Sequence, residues 1–169
     1  MKFNKLLIKT AFACMACDGY LDERELECVK RFILDEGICE TNVLVSELNT
    51  LVDKFNSGSN AFMDEFFQEL QDSELTDNEQ IRIIQYALAI IRADEIIDYR
   101  EIKFFKLMRS HLSVSDNEIR SRFDNVDDFL TQDIISDSTK FKLERYFFDA
   151  ENAKLMHVDG VPDGDDKYV

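Results

Sequence analysis

The sequence predicts an all-α fold: a compact helical domain of about seven to eight helices with an internal pseudo-twofold repeat. Three observations predict it. The 169 residues hold one proline, Pro162, where average usage would give about 8, so the first 161 residues consist of elements that exclude proline. Apolar residues recur at helical spacing along most of the chain, and no stretch alternates with period two for long enough to make a strand. Only Gly19, Gly37 and Gly58 precede residue 160, and each falls where the helical periodicity breaks.

Taken in order, residues 3–17 are apolar nearly all round, which marks a buried helix. After a turn at Asp18 to Leu21, the residues Leu26, Val29, Phe32 and Ile33 line one face of a second helix, and Gly37 suits its C-terminal stop. A third helix carries Leu44, Leu48, Leu51, Val52 and Phe55 on one stripe. Ser57-Gly58-Ser59-Asn60 reads as a loop, with Ser59 or Asn60 capping the fourth helix. That helix has two faces: Phe62, Met63, Phe66, Phe67 and Leu70 on one, Asp64, Glu65 and Glu69 on the other. Thr76-Asp77-Asn78-Glu79 is a capping box that opens a fifth helix, whose body from Ile81 to Ala93 is apolar almost everywhere. A sixth helix is expected over about residues 98–112, and Ser115-Asp116-Asn117-Glu118 opens a seventh. Phe141, Leu143, Tyr146 and Phe147 mark a last amphipathic segment. One helical domain therefore spans 1–150, and 151–169 is an acidic C-terminal segment expected to be flexible.

Charge excludes some functions. Thirty-five acidic residues against 20 Lys and Arg leave a net charge of −15, which argues against nucleic acid as a partner. No uncharged run approaches the roughly 20 residues needed to span a bilayer, and Lys9 interrupts the N-terminal apolar run. A cytoplasmic protein with no direct membrane insertion is expected. Cys14 and Cys17 form a lone C-x-x-C, with Cys28 and Cys39 at wide spacing. Three residues apart on a helix, the first two share a face and are expected to pack in the core rather than hold zinc. No phosphate-binding or nucleophile-elbow motif is present, and neither His111 nor His157 stands in a metalloprotease arrangement, so no enzymatic activity is expected.

The two buried helices run into the same kind of turn. Residues 11–26 read AFACMACDGYLDEREL and residues 87–102 read ALAIIRADEIIDYREI. At an offset of 76, Ala11, Ala13, Asp18, Asp22, Arg24 and Glu25 match Ala87, Ala89, Asp94, Asp98, Arg100 and Glu101, so both copies hold D-x-x-x-D-x-x-E. With Cys17-Asp18-Gly19 in the first copy and Ala93-Asp94-Glu95 in the second, the pattern resembles the TerB-like family, named for tellurite-resistance proteins. The resemblance is clearest over residues 3–124. It implies an all-helical acidic domain that binds a divalent cation in stress-response or scaffolding settings, without an established enzymatic activity. One departure is that Glu95 stands where Gly19 does. A positive φ is costly for Glu, so the second turn is expected to differ from the first.

The six repeated acids, Asp18, Asp22, Glu25, Asp94, Asp98 and Glu101, are the candidate metal ligands, and hard oxygen donors favour Ca²⁺ or Mg²⁺. Four of them have a second explanation. Asp22 and Asp98 sit at N-cap positions, and Glu25 and Glu101 three residues on complete capping boxes. Asp18 and Asp94 lie at helix C-termini, where the dipole disfavours negative charge; a cation, a neighbouring Arg or a turn hydrogen bond would relieve that. An EF-hand is excluded, because Tyr20 and Val29 fall where loop positions three and twelve need oxygens. An alternative is a metal-free protein–protein adaptor. From Phe55 to Ile81 the chain carries seven acids and no Lys or Arg, whereas Arg100, Lys103, Lys106 and Arg109 recur along the sixth helix. Such faces could dock a basic protein partner or pair in self-association. A hydrolase using the acidic cluster is a third and distant alternative.

Overall fold

Two largely apolar helices organise the molecule. In the computed structural model, which describes residues 2–93, 96, 97, 99–131 and 155–158, every residue of α1 (Lys2–Ala16) from Leu6 to Ala16 is buried. The other such helix, α5 (Asp77–Ile91), buries Gln80, Ile81, Ile83, Ile84, Tyr86, Ala87, Leu88, Ile90 and Ile91. A helix apolar all round must be enclosed on every side. These two pack on each other, and amphipathic helices wrap them: α2 (Glu23–Asp35), α3 (Thr41–Ser57), α4 (Ser59–Asp72) and α6 (Tyr99–Ser110). Two short helices, α7 (Asp116–Arg122) and α8 (Asp127–Leu130), follow, and α8 lies on α6. All eight helices and the absence of strands among the described residues agree with the all-α expectation. The proline-free sequence has become an almost unbroken series of helices.

The wrapping helices each present one stripe. Phe12 of α1, Phe55 of α3 and Phe62 of α4 meet edge to face, with centroids 5.4 to 6.1 Å apart, the geometry their quadrupoles favour. Phe66 of α4 stacks on Phe104 of α6. Lys9 is the exception within α1: its stem is buried, and its ammonium reaches Glu69 at 2.8 Å and Glu65 at 3.4 Å on α4.

Helix ends follow the sequence closely, with one correction. Gly37, at φ 65°, closes α2: its amide donates to Leu34 O at 3.0 Å, and the Ile38 amide donates to Ile33 O at 3.0 Å, satisfying the last carbonyls. Thr76 and Glu79 form the expected capping box, and Ser115 caps α7 through the Glu118 amide. The expected loop over Ser57 to Asn60, however, shrinks to Gly58. The Ser57 hydroxyl bonds back to Asp53 O at 2.9 Å and stays helical, so α4 starts at Ser59 with Gly58 as N-cap. Neither Ser59 nor Asn60 therefore caps that helix. The Phe141 to Phe147 segment lies outside the described residues. Of the C-terminal segment, residues 155–158 are described, and they lie in extended form along α3 with Leu155 and Val158 buried.

Candidate functional site

The first acidic turn is built by the end of α1. The Gly19 amide donates to Ala16 O at 2.9 Å, and the chain reverses through a φ of 93° at Gly19, a conformation that suits glycine. Asp18 Oδ1 accepts from the Tyr20 amide at 3.3 Å, so a turn hydrogen bond relieves its position at a helix C-terminus. Asp22 is the N-cap of α2, as its spacing predicts. It accepts from the Arg24 amide at 2.7 Å, with the Arg24 Nε 3.6 Å away.

Glu25 is placed differently from the capping-box expectation. It is 2% exposed and begins the inward stripe of its helix, followed by Cys28, Val29 and Ile33. Glu101 shares the burial, while its expected capping partner Asp98 lies outside the described residues. Glu101 too is 2% exposed and heads the stripe that continues with Phe104, Phe105 and Met108 of α6. The two carboxylates, equivalent in the sequence repeat, are thus both interior. Burying a carboxylate costs several kcal/mol, on the order of magnitude known for such ions, unless donors or a cation compensate.

Both interior carboxylates act on the same pair of thiols. Burial pushes the Cys14 thiol well above its ordinary range, and the charges of Glu25 and then Glu101 push it further. On Cys17, burial again acts first, and Cys14, Asp18, Glu101 and Glu25 add to it. Three of the six candidate residues, from both repeats, therefore lie within electrostatic reach of one cysteine at the end of α1. Asp22 stays on the outer side of the turn as a cap. Asp94 and Asp98 lie outside the described residues. Among the described residues, no group of three or more His, Cys, Asp or Glu is arranged to hold a metal ion.

The chemistry on offer is that of oxygen donors. Thiols held neutral by burial are poor ligands and poor nucleophiles, and Cys14 and Cys17 pack in the core as their spacing predicts. Of the groups at this turn, the carboxylates are those a hard cation would select. His111 stacks on Phe67 at 5.1 Å and bonds through Nδ1 to Gln71 Oε1 at 3.2 Å, a structural part.

The acidic stretch looks different once folded. Its Glu65 and Glu69 pair with Lys9, Asp72 accepts from Gln68, and Glu79 serves the capping box. Two of its seven acids are thus paired from α1, by a partner that a local count of charges omits. On the sixth helix, Arg109 pairs with Asp116 at 2.9 Å, and the Lys103 ammonium lies 4.5 Å from the Tyr99 ring centroid. No helix among the described residues is long and apolar enough to cross a membrane. Comparison of the chain with family models, with curated proteins and with solved structures found no match.

Proposed function

We propose that the chain is a non-enzymatic, TerB-like helical domain whose two repeated acidic turns bind one divalent cation, Ca²⁺ or Mg²⁺, in a stress-response or scaffolding role. The observation that carries this reading is the shared placement of Glu25 and Glu101. Both are buried, both stand at matching positions of the repeat, and both act on Cys14 and Cys17. A cation held by both carboxylates would tie α2 to α6 at the end of α1. Asp18 acts on Cys17 as well and would join as a ligand, and Asp94 and Asp98 would complete the set from the second turn.

Thermal unfolding with and without ions tests the reading. A ligand bound only by the folded state stabilises it by about 2.7 kcal/mol at 100 times its Kd. For a chain of this size each kcal/mol raises Tm by roughly 2–4 °C. Saturating Ca²⁺ or Mg²⁺ is expected to raise Tm by several degrees, and Glu25→Gln together with Glu101→Gln to abolish the rise. An unchanged wild-type Tm at millimolar ion contradicts it.

A further inference from the structure

The most specific contact between distant parts of the chain lies away from the acidic turns. Asn56 Nδ2 donates to Leu155 O at 2.8 Å, and Asn56 Oδ1 accepts from the Leu155 amide at 2.7 Å. Two helical turns earlier, Asn49 Oδ1 accepts from the Val158 amide at 2.7 Å, and its Nδ2 donates to Val158 O at 3.2 Å. Each carboxamide thus pairs with both the N–H and the C=O of one residue, as a neighbouring strand would. Between them Asp53 meets His157 Nε2 at 2.7 Å.

The spacing explains why this works. Seven residues of α-helix rise about 10.5 Å and return to nearly the same face. Three residues of extended chain span about 10 Å. Asn49 and Asn56 are therefore in register with residues 158 and 155 of a segment running antiparallel to α3. The side chains of Leu155 and Val158 enter the core at 6% exposure each, while Met156 points out at 85%. Recognition rests on the main chain, with two apolar anchors and one basic position facing a carboxylate.

Main-chain recognition of this kind does not depend on the peptide belonging to the same molecule. We propose that the Asn49–Asp53–Asn56 stripe of α3 is a binding site for extended peptides of the pattern apolar, any, basic, apolar, occupied in this chain by its own Leu155 to Val158. A peptide of this pattern takes the site when that segment is withdrawn. The site is distinct from the acidic turns and stands or falls independently of cation binding.

The probe is a fluorescent synthetic peptide of residues 151–161, titrated against the full chain and read by anisotropy. A covalently attached segment competes at an effective concentration on the order of mM. For the segment to be docked in about nine molecules of ten, the free peptide must bind an empty site with a Kd below about 0.1 mM. The full chain carrying Leu155→Asp and Val158→Asp, which withdraws the anchors, is expected to bind the probe at least tenfold more tightly than wild type. Adding Asn49→Ala and Asn56→Ala is expected to remove that binding. Circular dichroism confirms that the variants keep their helices. A peptide N-methylated at the amides of 155 and 158 needs no protein variant, and it is expected to bind at least tenfold more weakly than the parent peptide. Equal binding by wild type and the withdrawn variant overturns the proposal, as does no binding at 1 mM or full binding of the N-methylated peptide. A wild-type dimer that the probe converts to monomer would show the segment serving a second copy, and would overturn its assignment within one chain.

Discussion

Cys14 and Cys17 carry the clearest consequence at the scale of single residues. Their thiols are raised in the folded chain by burial and by Glu25 and Glu101. The folded state therefore holds these protons more tightly than the unfolded state does. The resulting stability is fully present below the unfolded thiol pKa and is lost as pH rises above it. Each thiol then contributes a loss of about 1.4 kcal/mol per pH unit, the slope for one proton. The urea midpoint is expected to fall between pH 8 and pH 10, and Cys14→Ala with Cys17→Ala to flatten that fall. A midpoint independent of pH over this range contradicts the burial of these thiols. The shared face of the two thiols was legible from their spacing alone. The inward turn of Glu25 was not, because the third position of a helix serves equally as a capping-box member and as the first residue of a buried stripe. Periodicity placed the face on Leu26, Val29, Phe32 and Ile33. The observed stripe, Glu25, Cys28, Val29 and Ile33, is rotated by about one residue, with Leu26 and Phe32 half-buried at its edge.

Helix ends and the joints between helices were well specified where a local rule decides them. Gly37 is such a case. It sits at φ 65°, and no neighbouring atom lies within 4 Å of where a Cβ would stand, so Gly37→Ala meets no clash and suffers only the backbone penalty. It is expected to lower stability by about 1–2 kcal/mol, the cost of a left-handed L-residue. Gly37→Asn should cost less, and equal losses for the two would contradict the backbone explanation. Gln80 is the opposite case, a joint that no local pattern reveals. It is buried at 5%, and its Oε1 accepts from the Ser113 amide at 2.8 Å and the Val114 amide at 2.9 Å. Its Nε2 donates to Leu75 O at 3.2 Å and to Ser113 Oγ at 3.0 Å. One side chain thus holds the link between α6 and α7 to the start of α5. Gln80→Ala leaves two main-chain donors without that acceptor, at about 1–3 kcal/mol each. Chemical denaturation should show a loss well beyond the roughly 0.5 kcal/mol typical of surface changes. The partners are 33 and 34 residues away in sequence, so only the folded chain displays the joint. The same holds for Asn49 and Asn56, whose partners are main-chain groups that carry no side-chain signature.

The whole molecule is an enclosure around α1, which touches α2, α3, α4, α5 and α6. That explains why an acidic chain keeps a lysine in its interior. Lys9 stands on the enclosed helix and pairs with Glu65 and Glu69 of α4. The all-α class was legible because proline scarcity and helical periodicity act along the entire chain. The long-range pairing of charges was not, since it depends on which faces meet after collapse. At this scale the starts of α2 and α6, Glu23 and Tyr99, are 76 residues apart, the offset of the acids repeated in the sequence. Central to the proposed function is that these two turns share one cation. Calorimetric titration of metal-free protein with Ca²⁺ and with Mg²⁺, repeated on Asp18→Ala, measures it most directly. The expected result is saturable heat for one ion per chain, with a Kd below about 1 mM, the weak limit of protein calcium sites, and a weaker or absent signal for the variant. No heat from wild type at millimolar ion would contradict the shared site and leave the acids as caps and interior polar groups.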